Sequence, residues 1–140
     1  MVEFALVAPL LFAILFAIIE FGWGYFQVLD TRHGAREGAR LVAVDYTAGG
    51  LEGDAQRDLL VQEVCARLEN STLSRVEFKF LTAGDDDAGD LAVVRVERDL
   101  EQITQFFDHL LGGFTPSSEV TFRLEKDASW TPTAGPQACP

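Results

Sequence analysis

Asp85-Asp86-Asp87-Ala88-Gly89-Asp90 carries the acid spacing with which a calcium loop begins. An EF-hand closes such a loop with a bidentate Glu at its twelfth position, where this chain has Val96, so the run reads as a solvated hairpin turn. Cys65 and Cys139 are the only cysteines, and a structural zinc site of four ligands would need His33 or His109 to join them from distant positions. Two arrangements stay open for the pair: a disulfide pinning the tail to the second helix in an oxidising compartment, or two free thiols with Cys65 filling an apolar helix face. Neither histidine has a nucleophile motif near it, there is no phosphate-cradling loop of the GxxxxGK type, and Ser74, Ser117 and Ser129 stand in plain contexts. The pattern points away from an enzyme, with no catalytic residue, metal, cofactor or small-molecule substrate.

Glu3 is the remaining residue with chemistry to explain. It heads a run of sixteen residues, Phe4 to Ile19, that carry no charge. Apolar character resumes after Glu20, so Phe4 to Phe26 is long enough as a helix to cross the ~30 Å hydrocarbon core of a membrane. Trp23 and Tyr25 suit an interfacial aromatic belt, and Glu20 beside it is expected to reach for lipid headgroups. A carboxylate at membrane depth costs about 2.5–3.5 kcal/mol on insertion scales unless it is paired or interfacial. The positive end of the helix dipole offsets part of that cost for Glu3. Pro9 removes a backbone donor inside the apolar helix and is expected to kink or loosen it there.

The helical pattern continues to about Val44. Arg32, Arg36 and Arg40 form a basic stripe, and Ala35, Ala39 and Ala43 form a neighbouring stripe of small residues. Gly34 and Gly38 each cost about 1 kcal/mol against Ala in a helix interior. Two of them four apart point to a surface where another helix or a sheet approaches closely.

Three motifs now stand in order: Val2-Glu3-Phe4-Ala5-Leu6-Val7-Ala8-Pro9-Leu10-Leu11, Ile19-Glu20-Phe21-Gly22, and Ala35-Arg36-Glu37-Gly38-Ala39-Arg40. Together they resemble the N-terminal half of the TadE-like family, pseudopilins or minor pilins of the tight-adherence (Flp) pilus within the type IV pilin superfamily. The likeness covers roughly the first 45 residues; beyond them it is one of layout, although Val120 to Glu125 also looks like the closing strand of such proteins. The resemblance implies a non-enzymatic subunit anchored once in the bacterial inner membrane, with its head outside the cytoplasm and its partners the membrane and other pilin or pilus-assembly subunits. It also implies that Glu3 corresponds to the carboxylate at the fifth mature position, which in type IV pilins meets the N-terminal amine of a neighbouring subunit. Family members carry a short basic leader ending in Gly. Counting back from Glu3 places Met1 third, so the expectation is that the chain begins late, is truncated or is never processed. The Arg stripe by itself favours a cytoplasmic head under the positive-inside rule, and a basic leader would reverse that.

The rest of the chain must form the head. The net charge is −11, and eight basic against seventeen acidic side chains from Tyr46 onward leave −9 there, a poor surface for nucleic acid or anionic lipid. About 100 residues suffice for one small domain. The expected division is 1–46 for the membrane and assembly helix, 47–126 for the head and 127–140 for an irregular, proline-containing tail. Within the head, Asp54 can cap a helix to about Asn70, with Leu60, Val61, Val64, Cys65 and Leu68 on one face. Val76/Phe78/Phe80, Ala92/Val94/Val96 and Val120/Phe122/Leu124 alternate with polar or outward residues as three half-buried antiparallel strands. Ile103, Phe106, Phe107, Leu110, Leu111 and Phe114 follow helical spacing, Asp99 with Gln102 resembles a capping box, and Gly112-Gly113 would stop that helix. The fold class is therefore α+β and pilin-like: a long N-terminal helix, then a second helix with a three-stranded antiparallel sheet.

Overall fold

Helix α1 runs without interruption from Val2 to Ala43 in the computed structural model, passing through Pro9. The structure describes residues 2–47, 50–69, 71–82, 84, 86–103 and 113–140. Helix α2 (Gly53–Cys65), a short 3₁₀ turn (Ser71–Leu73) and four strands follow: β1 (Ser74–Phe80), β2 (Leu91–Arg98), β3 (Ser117–Arg123) and β4 (Gln137–Ala138). The sheet is antiparallel, in the order β3-β2-β1-β4.

The alternation in sequence becomes one packed face. Val76 lies opposite Val96, Phe78 opposite Val94 and Phe80 opposite Ala92, while Val94 pairs with Val120 and Ala92 with Phe122 on the other side. Because side chains alternate along each strand, this register turns the apolar member of every pair toward the helices. Against that face pack Ala35, Ala39 and Val42 from α1, and Leu60, Val61, Val64 and Cys65 from α2. Trp130 closes the core, its ring stacked on Phe80 at 4.5 Å and edge-on to Phe78 at 6.1 Å.

The tail departs from the sequence expectation. It is ordered along the free edge of β1, where Thr133 N–H donates to the Phe78 carbonyl and Cys139 N–H to that of Ser74. Gln137–Ala138 add the fourth strand there, with Ala138 opposite Arg75. Prolines and low apolar content hide a strand whose partner lies some sixty residues away, since pairing a short edge strand needs backbone groups rather than a periodic pattern. Cys139 is bonded to Cys65, with Cα atoms 5.6 Å apart, which fastens the tail to the end of α2.

Helix boundaries also differ. α2 ends at Cys65 rather than near Asn70, itself outside the described residues, because the chain turns through Arg67 and Leu68, whose amides bond to Val64 and Cys65. Asp54 is not its cap. Glu52 holds the cap position without a side-chain bond, and Asp54 in the first turn pairs with Arg57 and accepts from Thr131. Asp99 to Gln102 are not helical, and the Asp99 carboxylate instead receives Arg75 at 2.8 Å and Thr115 at 3.4 Å. That contact raises the Arg75 pKa above its ordinary value, first through the hydrogen bond with Asp99 and then through its charge. The remainder of the expected third helix, 104–112, including Phe106, Phe107, His109, Leu110, Leu111 and Gly112, lies outside the described residues. The acidic turn is tied down by the tail, with Ala88 N–H donating to Asp127 and Ala128 N–H to the Asp86 carbonyl; Asp85 lies outside the described residues.

Candidate functional site

α1 has three zones along its length, and each follows from which side chains the head covers. From Glu3 to Ile19 the apolar side chains Phe4, Leu6, Val7, Leu10, Leu11, Phe12, Ile14, Leu15, Phe16, Ile18 and Ile19 are exposed. Glu3 is exposed too, in the first helical turn. Pro9 lies within this zone, where its missing N–H leaves the Ala5 carbonyl without its usual helical donor.

The last zone is the opposite case. At Gly34 a built Cβ would lie 2.3 Å from Leu68 Cδ2, and at Gly38 one would lie 3.1 Å from Val64 Cγ2 and 3.2 Å from Val94 Cγ1. The glycines thus let α1 approach α2 and β2 of its own chain. Ala35, Ala39 and Ala43 are buried beside them, while Arg32, Arg36 and Arg40 point to solvent on the other face. Just past the helix, Asp45 takes a left-handed φ of 49°. Its carboxylate accepts from the Ser129 amide and hydroxyl and from Gln56 Nε2, joining helix end, tail and α2.

Between these zones lies a polar junction that sequence reasoning missed. Gln27 is fully buried, and its amide bonds both ways to the backbone of one residue in the loop after β2: Nε2 donates to the Glu101 carbonyl and Oε1 accepts from the Glu101 N–H, each at 2.8 Å. One turn onward, Asp30 Oδ2 accepts from Arg98 Nη1 at 2.8 Å and from the Glu69 amide at 3.2 Å. Arg98 is only 1% exposed, and its Nε finds no partner among the described residues. Glu20 was expected to reach for headgroups, but it is 2% exposed and turned inward, accepting from the Ile103 N–H at 3.1 Å. The cause is tertiary: the loop from Leu100 to Ile103 runs back along α1 and presents its peptide groups there. A sequence signal existed, since Glu20, Gln27, Thr31 and Gly34 recur at intervals of seven, four and three on one helix stripe. Their partners were not legible.

Among the described residues no three His, Cys, Asp or Glu side chains are placed to hold a metal ion. What the arrangement defines is a protein whose α+β head grips the second half of a long helix and leaves the first half bare. α1 is long and apolar enough to cross a membrane, and almost none of its apolar window is buried inside the protein. Residues 1–40 match the family model described as TadE-like protein, a span that holds all three sequence motifs. The match and the bare helix together fit a membrane-anchored, pilin-like protein. No curated protein and no solved structure matches the chain.

Proposed function

We propose that the chain is a TadE-like minor pilin or pseudopilin, a non-enzymatic subunit that contributes to assembly of a tight-adherence type IV pilus or related secretion machinery. The carrying observation is the bare zone of α1, whose eleven large apolar side chains between Phe4 and Ile19 have no cover from the head. Apolar surface of that extent is stable in lipid or against other helices of the same kind. The subunit sits in the bacterial inner membrane by this zone, and on assembly the same zone packs against neighbouring subunits. Glu3 sets the register. In an apolar helix bundle an uncompensated carboxylate is strongly disfavoured, and the N-terminal ammonium of a neighbour is the partner that neutralises it. Pro9 loosens the helix during that transfer. Gly34 and Gly38 hold the helix against its own head, so the head and the assembly helix move as one body.

The head is placed outside the cytoplasm. The Cys65–Cys139 bond supports that side, because structural disulfides persist in oxidising compartments. The alternative is a single-pass anchored interaction or assembly protein that does not enter a fibre, and in one form of it the head faces the cytosol. Exposed Arg32, Arg36 and Arg40 favour that form, and the disulfide weighs against it. Glu3→Ala tests the assembly role: the variant should fractionate with membranes as the parent does and lose copurification with pilus components. Undiminished copurification would refute the part assigned to Glu3.

A further inference from the structure

The bare zone is too short for the membrane it is read to cross. Sixteen helical residues from Phe4 to Ile19 rise about 24 Å, against a hydrocarbon core of ~30 Å. The next helical turns must therefore lie in the outer part of the apolar layer, and there the helix is no longer alone. An open, apolar groove of about 400 Å³ opens at this level, lined by Glu20, Phe21, Gly24, Tyr25, Val28, Leu100 and Phe114. Two of these residues, Leu100 and Phe114, belong to the head. Phe114 is 58% exposed, and Ile103, in the same loop as Leu100, is 55% exposed. Exposed Phe21, Tyr25 and Phe26 extend the bare zone to the level of the groove, so among the described residues apolar side chains continue from the helix to Leu100 and Phe114 of the head.

Glu20 is the only charged side chain of α1 between Glu3 and Asp30, and at this depth a solvated carboxylate would oppose immersion. It faces inward instead and accepts from the Ile103 N–H. The Glu20 charge is thereby withdrawn from the outward side of the junction, and Glu101 of the same loop is exposed at its polar edge. The same bond sets Ile103 against the helix.

We propose that the head is itself seated in the bilayer, with phospholipid acyl chains filling the groove and covering Leu100, Ile103 and Phe114. This rests on the membrane-anchored reading above and adds a second contact to it. The occupant is lipid because the groove adjoins the surface already assigned to lipid and lies at the level where the bare zone ends and the apolar layer continues. In this role Glu20 is a positioning residue that hides its own charge while holding the loop that supplies the collar.

The test uses the full chain in phosphatidylcholine liposomes at high lipid-to-protein ratio, carrying the photoreactive residue p-benzoylphenylalanine at one position at a time. Ile103 and Phe114 are both more than half exposed, and replacing Ile103 keeps the backbone N–H that Glu20 accepts. Phe12 in the bare zone is the positive control. Leu81 is the negative control: it is 57% exposed, but it bonds to Leu91 at the end of the sheet whose neighbour Glu125 reaches Ala43, about 28 Å along α1 from Gly24. Lipid adducts at 103 and 114 should be about as frequent as at Phe12 and roughly tenfold above Leu81, as expected for interfacial burial. Adducts at 103 and 114 to a second protein chain, or lipid adducts no more frequent than at Leu81, would overturn the collar while labelling at Phe12 leaves the membrane anchor standing. Absence of lipid adducts at Phe12 would instead overturn the anchor, and the collar with it.

Discussion

The junction between helix and head makes its sharpest prediction at Asp30. Arg98 is 1% exposed and Asp30 13%, with 2.8 Å between Nη1 and Oδ2, so the guanidinium has no bulk water to fall back on if the carboxylate is lost. Asp30→Asn keeps the shape and removes the charge. A buried guanidinium then remains with one nitrogen already lacking a partner among the described residues. Breaking a buried pair from one side costs about 3–5 kcal/mol, while a domain holds only about 5–15 kcal/mol in all. Exposed pairs such as Arg57–Asp54 contribute about 0.2–1 kcal/mol, so Asp54→Asn serves as the contrast. The assay is urea denaturation of the full chain in a mild detergent, followed by the fluorescence of Trp130 in a Trp23→Phe background. Trp130 reports on the core because it stacks on Phe80. Asp30→Asn should lower stability by about 3–5 kcal/mol, a melting-temperature loss of more than ~12 °C for a domain of this size. Asp30→Leu with Arg98→Met should recover most of it, since an apolar replacement of a buried pair is often neutral. A loss under about 1 kcal/mol for Asp30→Asn, or no recovery in the double variant, would refute the reasoning that Arg98 is held as a buried charge by Asp30.

Two further outcomes test the packing of the helix and the tail. Gly38→Val places a branched side chain where even a Cβ would be 3.1 Å from Val64 and 3.2 Å from Val94, both too short to swing away. Overpacking should outweigh the gain in helix propensity and destabilise the head by about 1–3 kcal/mol; a melt equal to the parent's would show that α1 is not seated this closely. Cys65→Ser with Cys139→Ser removes a cross-link between residues 74 apart, for which chain entropy predicts a loss of about 4 kcal/mol in urea melts. An unchanged midpoint would mean that β4 and Trp130 hold the tail unaided.

Much of the frame was legible in the sequence because it depends on periodicity. Sixteen uncharged residues followed by aromatic ones specify a helix for an apolar medium, whatever it packs against. Period-two alternation at Val76 to Phe80, Ala92 to Val96 and Val120 to Phe122 specifies strands with one buried face, and Gly34 and Gly38 four apart specify a close approach on one helix face. These signals are local, since each is read from the spacing of residues within one segment, whatever that segment later packs against.

The junction and the tail were decided only by the tertiary structure. Glu20, Gln27 and Asp30 find their partners at Ile103, Glu101 and Arg98, 68 to 83 residues away, and Thr133 finds Phe78 at a separation of 55. Their partners are peptide groups or a single guanidinium, and every residue carries a peptide group, so composition cannot indicate which one will meet a given side chain. Burial then reverses the expected behaviour of the same residue type: Glu20 reads as an interfacial acid from its neighbours and becomes a buried acceptor once the Leu100–Ile103 loop lies beside it. The sequence by itself determined a long apolar helix and a one-faced sheet. Which part of that helix the head would grip, and which part it would leave bare, was settled by long-range backbone contacts that no periodic pattern encodes.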